Sequence, residues 1–272
     1  MESTVQATSL PRLNEPAPEF AAATTHGPKK LSDYTSAGQW VMLFSHPADF
    51  TPVCTTEFVA LATRAPEFEA RKVQLIGLSI DSIHSHLAWM RDIEQHLGVR
   101  VPFPVIADLD MAVATRYGMI HPGAATTAAV RSVFFIDPKG MLRAMLYYPL
   151  STGRNVDELL RVIDALQMTD AHGVSTPANW RPGDNVVVPA PATSQQLEIE
   201  EGKKQDYEYK RWYLRLKRIE EPTAVCPRPA TPTASGDVND GAIEDLPRGH
   251  GVAERVSGLP VLKKATPSAR CR

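Results

Sequence analysis

Four short apolar runs, with helical patterns between the first three, constrain this chain more than any other feature of its sequence. They are "WVMLFS" (40–45), "VQLIGLSI" (73–80), "FPVIA" (103–107) and "RSVFFID" (131–137). The first reads as a buried strand and the others as its companions. The last runs into "PKG" and then "MLRAMLYY" (141–148), which predicts an antiparallel hairpin. Between the runs, "CTTEFVALATRAPEFEARK" sets Phe58, Leu61 and Ala62 at helical spacing. "HSHLAWMRDIEQHLG" closes on Gly98, a residue suited to the left-handed end of a helix. "NVDELLRVIDALQ" is amphipathic behind Asn155, a good N-cap. Strands alternating with helices, followed by a late hairpin, predict an α/β fold with a mixed sheet covered on both faces.

After about Gln167 the texture changes. Residues 168–221 carry one strand candidate, "NVVVP", several prolines and an aromatic-basic segment with Tyr207, Tyr209, Trp212 and Tyr213. They predict a small appended domain, too short for a core of its own. Residues 222–272 are rich in Pro, Gly, Ser, Thr and Ala and poor in large apolar side chains, so a flexible tail is expected there. The organisation is therefore a main domain over 1–167, a small domain over 168–221 and a tail.

Hydrophobic residues make up 43% of the chain and the net charge is −2, which supplies no electrostatic reason for a nucleic-acid or anionic-membrane partner. No apolar run approaches the roughly 20 residues of a membrane helix. The N-terminal residues show neither a signal nor a transit pattern, so a cytoplasmic location is expected. Cys54, Cys226 and Cys271 are too few and too scattered for a disulfide framework, and no CxxC suggests a dithiol or zinc centre. His84 and His86, two apart, face different sides of a helix and read as surface residues rather than metal ligands. No cofactor is expected.

"FSHPADFTPVCTTEF" (44–58) then raises the question of what Cys54 is for. Thr51 fits an N-cap and Pro52 the first helical position, which puts Cys54 in the first turn. Unpaired N–H groups and the positive end of the helix dipole favour a thiolate there. A lone cysteine is also often an inert buried sulfur, and on the residues alone both readings stay open.

The stretch from Pro47 through Thr51 to Cys54, with Glu57 behind it, resembles the PxxxTxxC signature of the peroxiredoxins. The flanks "LIGLSIDSIHSHLAW", "RSVFFIDPKG", "LYYPLSTGRNVDELLRVIDALQ" and "TPANWRPGD" are similar to the one-cysteine, peroxiredoxin-6-like subfamily. The resemblance spans about residues 13–219 and implies a thioredoxin-like fold and a thiol-dependent peroxidase acting on hydrogen peroxide and organic hydroperoxides. It implies Cys54 as the peroxidatic cysteine, Thr51 as a hydroxyl at the sulfur and Pro47 as a shield from water. Arg131 would stabilise the thiolate and polarise the peroxide, with Arg154, His46 and Glu57 in support. It further implies a homodimer, in some members a ring of dimers, and reduction of the sulfenic acid by an external thiol.

The chain departs from the pattern of the family it resembles in two places. In "YEYKRWYLR", Tyr209 and Arg215 stand where some bacterial and archaeal relatives carry cysteines, which predicts one-cysteine chemistry. Gln39 and Asp33 replace the serine and histidine of the lipase-like site in mammalian members, so no phospholipase activity is expected. The alternative function is a peroxide sensor that is sulfenylated at Cys54 and turns over little. Trp180, Tyr207, Trp212 and Tyr213 read as exposed aromatics awaiting a partner subunit.

Overall fold

The structure, a computed structural model, describes residues 10–219. The tail expected over 222–272, with Cys226 and Cys271, lies outside the described residues. A seven-stranded mixed sheet forms the centre, in the order β2-β1-β5-β4-β3-β6-β7. Its strands are β1 (Ala21–Thr24), β2 (Gly27–Lys30), β3 (Trp40–Ser45), β4 (Val73–Ser79), β5 (Val105–Ala107), β6 (Arg131–Ile136) and β7 (Leu142–Tyr148). β3, β4 and β5 run parallel, while β6 lies antiparallel against β3 and continues into the β6–β7 hairpin. Each apolar run of the sequence becomes a strand. "FPVIA" contributes only its last three residues to β5.

The central strands β3, β4 and β6 are largely apolar because both faces are buried, and successive side chains alternate between two cores. Trp40, Met42 and Phe44 of β3 meet Val133 and Phe135 of β6 on one face, under α2 (Pro52–Ala70), α3 (Ile83–Leu97) and α5 (Val156–His172). Val41, Leu43, Phe134 and Ile136 point to the other face. There they meet Phe20, α1 (Leu31–Thr35) and α4 (Ala112–Arg116). The sequence reading did not anticipate β1, β2, α1 or α4, whose short segments carry little periodicity. Gly77 of β4 sits where a Cβ would come within 3.3 Å of the Phe58 ring and 3.5 Å of the Phe44 ring. Its missing side chain makes room for both aromatics in the first core.

The helix ends follow their residues. Asn155 Oδ1 accepts from the N–H groups of Asp157 and Glu158, and Gly98 ends α3 at φ 71°. α5 runs past Gln167 and stops at Gly173, φ 60°. The domain boundary drawn at Gln167 therefore falls within a continuous helix. Beyond it, β8 (Val186–Val187), β9 (Glu208–Arg211) and β10 (Leu214–Lys217) form a three-stranded sheet with α6 (Ser194–Glu201) in the connection.

Two surface expectations are corrected here. Trp180 is 2% exposed, packed with Met168 and Val186, and its indole N–H donates to the Asp184 carbonyl. It is a core residue of the small domain. His86 is fully buried, because α3 turns its face toward the sheet, whereas His84 is exposed. Trp212 and Tyr213 remain exposed, at 47% and 54%. Arg215 is buried, donating to the Pro189 carbonyl and paired with Glu200 over the Tyr207 ring. Among the described residues no helix is long and apolar enough to cross a membrane.

Candidate active site

The loop after β3 and the first turn of α2 present the site. Thr51 is the N-cap, with extended backbone, and Pro52 opens the helix, where its absent N–H leaves nothing unpaired. The Thr51 hydroxyl does not cap the helix but donates to the Ala48 carbonyl at 2.9 Å. Phe50, at the loop tip, holds φ 55°, a left-handed conformation that turns the chain into the helix. Cys54 lies in the first turn and is fully buried, and Pro47 and Thr51 are half-buried beside it.

Arg131 reaches the sulfur from β6. Phe44 of β3 pairs with Val133, so Arg131, two residues earlier in β6, projects on the same face as Val133, just past the end of β3. Its Nη1 donates to Cys54 Sγ at 3.2 Å and to Glu57 Oε2 at 2.6 Å, while Nε donates to the Leu150 carbonyl. Arg154 arrives from the loop before α5. Its Nε and Nη2 form a fork on Glu57 at 2.8 and 2.7 Å, and its backbone N–H adds a third bond at 2.9 Å. Arg154 Nη1 donates to the Ser45 and Ser132 carbonyls, and the guanidinium lies 5.2 Å over the Phe44 ring. Arg131, Arg154 and Glu57 are each under 10% exposed.

Charge balance explains the arrangement. Burial alone would raise the Glu57 carboxyl pKa, but the two guanidiniums hold it below the ordinary carboxylate range. Two positive guanidiniums and one carboxylate leave one positive charge uncompensated in a dry site. The Cys54 sulfur lies 3.2 Å from Arg131, within this positive field.

A second buried group lies beside the first. His46 Nε2 is 2.8 Å from Asp49 Oδ1, and His86 Nδ1 is 2.7 Å from Asp49 Oδ2. Burial pushes the His46 imidazole below its usual pKa, with Arg154 and His86 lowering it further against the pull of Asp49. For Asp49, burial acts upward, but the hydrogen bonds to both histidines outweigh it and hold the carboxyl low. These three side chains have the residue types of a metal site and bring one donor atom each within 4.8 Å. The hydrogen bonds already account for the three facing atoms. The sequence reading did not single out Asp49, Ser45 or Ser132 and misplaced His86. Asp49 and His86 lie inside the very segments that carry the family resemblance, but only their proximity across the fold reveals them.

Residues 13–145 match the AhpC/TSA family, and residues 165–205 match the C-terminal domain of 1-Cys peroxiredoxin. A peroxiredoxin of Aquifex aeolicus is 53% identical over 79% of this chain and its own entire length. The chain belongs to the peroxiredoxins, in the one-cysteine subfamily. A Methanosarcina mazei peroxiredoxin is 48% identical over 77% of the chain and 98% of its own length. A yeast mitochondrial 1-Cys peroxiredoxin, solved to explain thiol resolution via glutathione/thioredoxin systems, superimposes at TM-score 0.69. It is 45% identical, over 76% of this chain and 99% of its own. The C45S mutant of peroxiredoxin 6 of Arenicola marina is 36% identical at TM-score 0.68, over 78% and 99%. This peroxiredoxin therefore has a thioredoxin-like fold and is a thiol-dependent peroxidase, an oxidoreductase acting on peroxides.

Proposed function

We propose that Cys54 is the peroxidatic residue and that Arg131, Thr51 and Pro47 complete its catalytic machinery, with Arg154, Glu57 and His46 in support. One observation carries the proposal: the 3.2 Å hydrogen bond from Arg131 to a sulfur in the first turn of a helix. The Cys54 thiolate attacks one peroxide oxygen, the O–O bond breaks, and the leaving oxygen takes a proton and departs as ROH. The sulfur is left as sulfenic acid. Negative charge grows on the leaving oxygen, where the guanidinium of Arg131 and the N–H groups of the first helical turn would stabilise it. Glu57 holds both arginines in place, and Pro47 and Thr51 shape the loop that covers the sulfur.

The sulfenic acid is reduced by an external thiol, which condenses with it to a mixed disulfide and water; a second thiol then releases Cys54. The yeast relative points to glutathione and thioredoxin as the first reductants to try. Tyr209 and Arg215 at the positions of the relatives' cysteines support an external reductant. After one equivalent of peroxide, mass spectrometry should find no Cys54–Cys226 disulfide, and a good yield of one would overturn this half of the scheme. Peroxide consumption with several thiols should be catalytic in the wild type and absent in Cys54→Ser. Turnover by that variant would refute the assignment, and a single stoichiometric burst in the wild type would favour the sensor reading.

The same proposal includes a homodimer, in which the exposed Trp212 and Tyr213 of the small domain meet a second subunit. It also includes a division into a peroxidase domain and a small C-terminal domain, with the boundary at Gly173 where α5 ends. Cytoplasmic placement belongs with it, on three cysteines too few and too scattered for a disulfide framework.

A further inference from the structure

A buried chain of hydrogen bonds runs through His46, and the peroxidase scheme above gives its other two members, Asp49 and His86, no part. His86 Nε2 lies 3.1 Å from the Ile106 carbonyl, His86 Nδ1 lies 2.7 Å from Asp49 Oδ2, and Asp49 Oδ1 lies 2.8 Å from His46 Nε2. Both imidazoles are 0% exposed and Asp49 is 7% exposed, so the protons in this chain must be accounted for without bulk water.

The geometry determines where the protons are. A carbonyl only accepts, so His86 Nε2 carries a hydrogen. Each of the two nitrogen–carboxylate contacts needs one proton between its atoms, because bare lone pairs at 2.7 and 2.8 Å repel. That makes three protons shared by two imidazoles and one carboxylate, and a cluster with no net charge. His46 Nδ1 receives none of them, and it is buried without a hydrogen-bond partner. A fourth proton there would create an unpaired buried cation in the field of Arg154. Moving the hydrogen of His46 from Nε2 to Nδ1 would orphan a buried donor and require a neutral carboxylic acid at Asp49.

We propose that His86 is a positioning residue of the peroxidase site: acting through Asp49, it holds His46 in the single tautomer with hydrogen on Nε2 and a bare Nδ1. This rests on His46 being part of that site, where its ring lies 4.8 Å from Phe58, one turn beyond Cys54 on α2. The bare nitrogen is then a buried acceptor for a hydroxyl-bearing ligand such as the hydroperoxide. It orients the O–H by hydrogen bonding, and no proton leaves the chain.

Imidazole nitrogen-15 chemical shifts report protonation directly, and they can be read on the full-length protein without turnover. With the His46 signals assigned by their loss in His46→Gln, the wild type should show hydrogen on Nε2 and a bare Nδ1. His86→Leu should shift His46 toward a mixture of tautomers and lower kcat/KM for hydrogen peroxide by about tenfold or more. His86→Asn, whose amide reaches the Nδ1 position and can still donate to Asp49, should restore both. Hydrogen on His46 Nδ1 in the wild type would overturn the proposal, and that result does not depend on His86→Leu folding. An unchanged His46 spectrum in folded His86→Leu would overturn it as well, as would mixed tautomers with undiminished kcat/KM. Inactivity of Cys54→Ser tests the sulfur alone, so failure of the peroxidase assignment and failure of this positioning role are separable.

Discussion

Cys54 and Arg131, far apart in the sequence, meet because a buried guanidinium must find partners for its donors. Arg131 spends its donors on Cys54, Glu57 and the Leu150 carbonyl, and Glu57 is saturated by both arginines. Arg131→Met keeps the bulk but removes the donor, and peroxidase kcat/KM should fall by about a hundred- to a thousandfold. Steady-state peroxide consumption checks this, and a loss below tenfold would show that the guanidinium is not poised for the transition state. Glu57→Gln strips the carboxylate from two buried cations and should destabilise the fold by about 3 kcal/mol or more. Because the folded pKa of Glu57 is depressed, its contribution is complete above the ordinary carboxylate value. It is lost as pH falls through the lower folded value. Urea titrations between neutral and acidic pH should therefore show a flatter acid limb in Glu57→Gln than in the wild type. The remaining slope would come from groups such as Asp49, whose pKa is also depressed.

At the scale of elements, α2 both packs the core and presents the sulfur. Phe58, Leu61 and Phe68 anchor it under the sheet, and burial of one such side chain is worth about 1.5–3 kcal/mol. The anchoring holds the first turn, and with it Cys54, in register with Arg131. Gly77→Ala places a methyl group 3.3 Å from the Phe58 ring, so thermal unfolding should show a loss of about 1–3 kcal/mol. Activity should fall as well if Phe58 is displaced toward Cys54; an unaltered melting temperature would show that the ring yields freely. The helix ends allow a cleaner test away from the site. Gly98→Ala at φ 71° should cost about 1 kcal/mol in denaturant titration while leaving kcat/KM unchanged.

At the scale of the molecule, the small three-stranded sheet contributes one compact cluster around Trp180, Met168 and Val186. Its exposed Trp212 and Tyr213, ring centroids 5.5 Å apart, form an aromatic pair of the kind that seeks cover. Light scattering on a chain ending after Gly173 should give a smaller assembly than the full chain. An unchanged mass would show that the small domain takes no part in association.

The sequence alone determined the central strands and the three long helices and marked Cys54 as the candidate reactive residue, because each is written in contiguous residues. Continuous apolar runs mark strands buried on both faces, and a threonine, a proline and a cysteine in order mark the start of a helix. The short elements β1, β2, α1 and α4 were not legible, since four or five residues carry too little periodicity to stand out from a loop. Trp180 and His86 were placed wrongly for a different reason. Whether a side chain points inward depends on which face of its element meets the rest of the fold, and no local pattern states that. Only the tertiary structure decided that Glu57 joins two arginines and that Asp49 lies between two histidines. Such pairings form where strands and helices distant in sequence converge, and burial obliges charged groups that meet there to find one another.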